Sequence, residues 1–111
     1  MRTNPLQEVV LGWSEEKFQQ EVLALAKATG WGLRYHTHDS RRSAAGFPDL
    51  VLVDPVRGRV LFRELKREKG KLTPDQVQWV TGLRAAGVDA GTWRPSDWVS
   101  GRIAEELTRR A

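Results

Sequence analysis

Cysteine is absent from the 111 residues, which excludes disulfides, cysteine–zinc centres and thiol nucleophiles together and fits a reducing compartment. Long apolar runs are missing too. None approaches the ~20 residues a transmembrane helix needs, so no membrane association is expected. The first residues, Met1-Arg2-Thr3-Asn4-Pro5-Leu6, lack the apolar stretch of a signal peptide, and the expected location is cytoplasmic. Internal repeats, low-complexity tracts and Gly/Ser linkers are likewise lacking. One domain over residues 1–111, with its core at about 14–108, is therefore expected.

Hydrophobic residues make up 40% of the chain and charged residues 29%, a globular balance. Lys and Arg number 18 against 14 Asp and Glu, and the net charge of +4 suits a polyanionic partner without requiring one. A domain this small has a small core, and dimerisation would add buried surface. Five tryptophans must then find places in the core, at an interface or against bases.

Ser14 followed by Glu15 and Glu16 reads as an N-cap with acids in the first turn. Phe18, Val22, Leu25 and Ala26 recur at helical spacing, and Gly30 ends a helix over about 14–29. Trp31, Leu33, Tyr35 and Thr37 alternate with smaller or polar residues, as in a strand. A polar loop from Asp39 to Gly46 follows. Asp49–Asp54 and Arg59–Lys66 form a hairpin across Val56-Arg57-Gly58. Both of its faces carry large apolar residues, so it is expected to lie centrally, with helices on both sides. Thr73-Pro74-Asp75-Gln76 has the form of a capping box. It opens a helix to about Ala86 that turns Val77, Val80 and Leu83 to the core. Val88–Trp93 reads as a strand, and Ser96 or Asp97 caps a last helix through Ile103 and Leu107. The expected order is αβββαβα, an α/β fold with a mixed central sheet flanked by helices.

The hairpin has a chemical consequence. If Asp54 and Arg59 close the turn, Asp49 lies opposite Glu64, and alternation puts Lys66 on the same face. Two carboxylates at the edge of a core need a compensating charge. Lys66 could supply it as a plain salt bridge. A hard divalent cation could supply more, by accepting carboxylates, waters and a phosphate oxygen, as in metal-assisted phosphodiester hydrolysis.

Pro48-Asp49, fourteen residues, then Glu64-Leu65-Lys66 resembles the PD-(D/E)XK nuclease motif. Three longer strings resemble its VRR-NUC branch: residues 46–53 (GFPDLVLV), residues 64–76 (ELKREKGKLTPDQ) and Leu83-Arg84-Ala85-Ala86-Gly87. The likeness extends over about residues 14–98. It implies a restriction-endonuclease-like fold and a divalent-metal-dependent DNA endonuclease. It further implies Mg²⁺ or Mn²⁺ held by Asp49, Glu64 and the backbone carbonyl of Leu65. Lys66 would orient or activate the attacking water and stabilise charge on the phosphate. No small-molecule cofactor is implied.

The branch usually adds a glutamate from the first helix. Glu15, Glu16 and Glu21 are all available, and Glu15 is preferred because it precedes Phe18, Gln19 and Val22 at helical spacing. A first-turn acid favoured by the helix dipole would look the same. Gln76 corresponds to the site-lining glutamine of the branch, and a bond back to Thr73 would equally explain it. Small stand-alone members resemble Holliday junction resolvases that act as homodimers on branched DNA. A bacterial or phage-infected cell is the setting this implies. A non-catalytic DNA-binding module and a partner-dependent nuclease subunit are the alternatives.

Arg41, Arg42 and Ser43 in the loop, and Lys69 and Lys71 after the motif, are candidates for gripping a nucleic-acid backbone; a solvated basic face is the plainer alternative. His36 and His38 lack a third metal-ligating partner and read as surface or packing residues, with His36 near the cleft. Trp13 and Trp31 flank the first helix and are expected to clasp it, while Trp79, Trp93 and Trp98 are expected in the core or an interface.

Overall fold

The computed structural model describes residues 2–37 and 44–109. Among the described residues the elements follow in order: α1 (Pro5–Leu11), α2 (Glu15–Ala28), β1 (Leu33–His36), β2 (Leu50–Asp54), β3 (Arg59–Leu65), α3 (Pro74–Ala85), β4 (Ala90–Trp93), α4 (Pro95–Val99) and α5 (Arg102–Thr108). The sheet runs β1-β2-β3-β4; β1, β2 and β3 are antiparallel neighbours, and β4 joins β3 in parallel after the α3 crossover. The mixed sheet and the αβββαβα core match expectation, with two differences. An additional helix, α1, precedes the core, capped by Asn4 with Gln7 bonding back. The last helix is divided, because Gly101 takes φ +83° between α4 and α5.

Register decides which residues meet. Asp54 pairs with Arg59 and Leu50 with Arg63, so the next position sets Asp49 beside Glu64. One face of the sheet holds Leu50, Leu52, Leu61, Leu65 and Trp93, which pack with Phe18, Val22 and Ala26 of α2, Trp31, and Ile103 and Leu107 of α5. That is the main core. The other face carries two apolar rows across three strands, Leu33–Val53–Val60 and Tyr35–Val51–Phe62, and the site row lies directly beyond them. It is only partly covered. α3 packs over β3 and β4, leaving Leu33 61% and Tyr35 55% exposed at the far edge. The expectation of full cover on both sides is corrected to this extent.

On α3 the inner positions are Gln76, bonded to Glu64, and one turn later Val80, which is buried. Val77 falls off that stripe and is exposed, contrary to expectation. The loop before Asp49 approaches the start of α3 so closely that only glycine fits at position 46. Gly46 has φ +81°, and a Cβ there would lie 2.3 Å from the backbone carbon of Asp75.

Trp13 and Trp31, on either side of α2, both pack on the core to which that helix contributes Phe18, Val22 and Ala26, and each takes further partners of its own. Trp13 packs edge-on to Trp98 at 5.4 Å and against Phe18. Trp31 lies buried beneath the guanidinium groups of Arg57 and Arg59 and donates to the Leu107 carbonyl at 3.0 Å. Arg57 also donates to Leu107, and Arg59 donates to the carbonyls of Glu106 and Arg109. These bonds satisfy the carbonyl end of α5 and fasten it to the hairpin turn.

Candidate active site

The candidate site forms where β2 begins and β3 ends. The Asp49 carbonyl accepts from Thr37 N–H at 3.0 Å, tying the residue to the end of β1. Its carboxylate Oδ2 accepts the Leu65 N–H at 2.8 Å, taking a bond that a neighbouring strand would otherwise supply. The Leu65 carbonyl, on the same side of the strand as its N–H, is directed to the Asp49 side.

Glu64 is 2% exposed. Its Oε1 accepts from Gln76 Nε2 at 2.9 Å, while Oε2 is buried with no hydrogen-bond partner among the described residues. Burial pushes its pKa up to about 9, and the adjacent Asp49 charge adds to the rise. Lys66 opposes that shift and Glu15 reinforces it.

Lys66 is held through its backbone N–H, which donates to the Trp93 carbonyl at 3.1 Å. Its side chain is largely buried, and Nζ lies 3.8 Å from Glu15 Oε1. Glu15 is thus the first-helix glutamate that reaches the site, from a half-exposed position in the first turn of α2. Glu21 pairs instead with Lys17, at 2.9 Å.

Both readings of Gln76 hold at once. Its Oε1 accepts from the Thr73 N–H at 2.8 Å, closing the capping box, while its amide nitrogen donates to Glu64. The cap therefore fixes the rotamer that places the amide on the carboxylate. His36, at the end of β1, lies 3.3 Å through Nδ1 from Gln19 Nε2. Lys69 and Lys71 are exposed on the segment following Lys66. Arg41, Arg42, Ser43 and His38 lie outside the described residues. Arg94 reaches the segment after Lys66, and Glu68 of that segment accepts from Ser96 N–H; no local pattern singles them out because their partners are distant in sequence.

A divalent cation fits this donor set. Glu64 Oε2 has no donor among the described residues and lies beside the Asp49 carboxyl, and two carboxyl groups so placed are the condition that a hard cation relieves. Among the described residues no three His, Cys, Asp or Glu side chains form a ready-made metal-binding group. Asp49, Glu64 and the Leu65 carbonyl would therefore hold an ion with positions left for water and a phosphate oxygen, as suits Mg²⁺. A separate cleft of about 680 Å³ at the outer edge of β4 is lined by Arg63, Arg84, Arg102 and Glu106 among others. Neither Asp49 nor Lys66 borders it, and its buried Arg63 and Glu106 are answered: Arg63 pairs with Glu106 and Asp89, and Arg102 with Glu106.

No helix among the described residues is long and apolar enough to cross a membrane. The chain is 34% identical over 53 residues to a Fanconi-associated nuclease 1 homolog of Schizosaccharomyces pombe (strain 972 / ATCC 24843). That match covers 48% of this chain and 8% of the length of that relative. A solved structure described as a VRR_NUC domain protein superposes with a TM-score of 0.67 at 21% identity, covering 90% of this chain and 94% of its own, which shows a shared fold. The VRR-NUC domain model matches residues 1–96, and the chain belongs to the VRR-NUC domain family.

Proposed function

We propose that this domain is a divalent-metal-dependent DNA endonuclease that hydrolyses phosphodiester bonds, selective for branched DNA in the manner of a Holliday junction resolvase and acting as a homodimer. The observation that carries the reading is the buried, unpartnered oxygen of Glu64, set beside Asp49 and next to a lysine. A fold at rest gains nothing from such an arrangement, whereas a site that receives a cation and a phosphate does. The curated relative is, by its name, a nuclease, which agrees with this reading.

Asp49, Glu64 and the Leu65 carbonyl would hold Mg²⁺ or Mn²⁺. Bound there, the ion would neutralise charge on the phosphate and lower the cost of forming hydroxide from water near neutral pH. Lys66 presents its ammonium where it can orient the attacking water and share the charge that builds on the phosphate oxygens. Glu15, 3.8 Å from that ammonium, keeps it turned to the site. Gln76 holds one oxygen of Glu64 and leaves the other open. Lys69 and Lys71, with Arg41, Arg42 and Ser43 from the loop, would meet the DNA backbone. Selectivity would come from the shape of the DNA. The homodimer is supported by the two apolar rows beside the site, whose outer residues Leu33 and Tyr35 are exposed. A second copy seated there would bring two sites into one assembly, suited to paired cuts.

The test is cleavage of labelled four-way junction, flap, single-stranded and duplex DNA with Mg²⁺, Mn²⁺ or EDTA, comparing the wild type with Lys66→Ala. Symmetric, metal-dependent cuts in the junction, lost in the variant, are expected. Cutting of flaps or linear DNA alone would remove the resolvase selectivity and keep the nuclease. DNA bound but never cut would favour a binding module or a partner-dependent subunit.

A further inference from the structure

The segment after Lys66 runs without regular structure through Arg67, Glu68, Lys69, Gly70, Lys71 and Leu72 to the cap of α3. A basic loop of this kind would ordinarily sample many conformations and lose that freedom on meeting DNA. Here it is fastened from the far side. Arg94, at the end of β4, donates through Nη1 to three of its carbonyl oxygens: Arg67 at 2.9 Å, Glu68 at 3.2 Å and Gly70 at 2.6 Å. Glu68 adds a second anchor, its Oε2 accepting the Ser96 N–H of α4 at 2.8 Å. Within the loop, the Gly70 N–H donates to the Arg67 carbonyl at 3.0 Å, closing a turn. The residue before Arg94 is Trp93, whose carbonyl holds the Lys66 N–H. Two consecutive residues of one strand end thus hold the lysine and the loop that continues from it.

We propose that Arg94 and Glu68 are positioning residues that pre-set the Lys66–Lys71 segment as a DNA-backbone grip, so that Lys69 and Lys71 meet phosphates without first having to be ordered. This rests on the DNA-cleaving reading above and adds residues that do not themselves touch DNA. Arg94 Nη1 donates to carbonyl oxygens of the loop, and through these bonds its effect on DNA would travel. Lys66 keeps its backbone bond to Trp93 when Arg94 is removed. The loss should therefore appear in DNA affinity and KM more than in kcat.

The experiment measures binding of fluorescein-labelled duplex DNA in EDTA by anisotropy, and kcat and KM for DNA cleavage with Mg²⁺. It compares wild type, Arg94→Ala, Glu68→Ala, a Lys69→Ala/Lys71→Ala pair, and Arg94→Ala in that paired background. Limited trypsin digestion reads the loop directly, because Arg67, Lys69 and Lys71 are cleavage points. Arg94→Ala is expected to weaken binding about tenfold, with kcat within about threefold of wild type and faster trypsin cutting in the loop. Glu68→Ala should do the same to a smaller extent, which guards against misfolding of a single variant. In the Lys69→Ala/Lys71→Ala background, Arg94→Ala should cost almost nothing further, since its route to DNA is gone. Unchanged binding and unchanged trypsin cutting in Arg94→Ala overturn the inference, as does a loss that adds in full to that of the lysine pair. If wild type neither binds nor cuts DNA, the DNA reading falls and takes the grip with it. If wild type does both while Arg94→Ala behaves identically, the grip alone falls.

Discussion

Asp54 and Glu64 sit at opposite ends of one β-hairpin, each 2% exposed, and their chemistry diverges. Asp54, at the turn, accepts the N–H groups of Val56 and Arg57 and pairs with the Arg57 guanidinium. The Arg57 hydrogen bond holds its carboxyl below the ordinary range against the opposing effect of burial. Glu64, at the open end, has one amide donor, an unpartnered oxygen and a second carboxylate nearby, and its pKa is driven up to about 9. Glu106 sides with Asp54: burial works against its charge, yet bonds from Arg63, Arg102 and Trp93 bring its pKa below the usual value. Equal burial therefore does not define a carboxylate's role; the donors around it do. Where the chain supplies them, the acid fastens the fold. Where it withholds them, the acid is left available for the cation proposed above.

The comparison can be broken most forcefully at Glu64. Glu64→Gln should reduce DNA cleavage by about 100-fold or more while raising the Tm of the metal-free protein, because the wild-type fold must keep the carboxyl protonated at pH values where the unfolded chain ionises it, a cost the neutral amide does not carry. The pH dependence carries the same sign. A carboxyl with a folded pKa near 9 against an ordinary 4.5 binds its proton more tightly when folded. Its contribution to stability is complete below about pH 4.5 and is lost as pH rises to about 9. The Tm advantage of Glu64→Gln over wild type should widen across that window in metal-free thermal scans.

Asp54→Asn should do the reverse. Loss of the charge leaves Arg57 without its anion, and Arg57 also donates to the Thr29 and Leu107 carbonyls that join α2 and α5 to the turn. Its Tm should fall by several degrees while kcat per folded molecule stays at the wild-type value. A rise in Tm would remove the contrast between the two ends.

A third substitution tests the approach of the loop to α3. Gly46→Ala meets both a positive φ and the Asp75 backbone and should cost about 2 kcal/mol in chemical denaturation. Because Gln76 adjoins Asp75, the bond to Glu64 should weaken and activity fall several-fold. An unchanged stability would mean the loop gives way freely.

What was legible in the sequence was mostly what is local. Ser14 as a cap, the Phe18–Val22–Ala26 stripe and the register of Asp54 on Arg59 all follow from short-range periodicity and turn chemistry, and the opposition of Asp49 to Glu64 follows from that register. Helix α1 carries the same capping pattern at Asn4-Pro5-Leu6-Gln7 that Thr73-Pro74-Asp75-Gln76 carries for α3; its short length and exposed surface gave no apolar stripe to draw notice. The bare apolar rows were not legible, because apolar residues on both faces of a hairpin do not say where the covering helices will land. Nor was Arg94, whose three carbonyl partners lie 24 to 27 residues back along the chain. Glu64 was visible as a candidate ligand, but its unpartnered oxygen emerges only when the donors around it can be surveyed.

The proposed function requires that Glu64, driven toward its neutral form by burial and without a donor on Oε2 among the described residues, take up a divalent cation. Calorimetric titration of the wild type and Glu64→Gln with Mn²⁺ near pH 7.5, in buffers of different ionisation enthalpy, tests it most directly. Binding by the wild type with release of about one proton per site, and little or no binding by the variant, is expected. Equal binding by both proteins, or wild-type binding with no proton released, would contradict it.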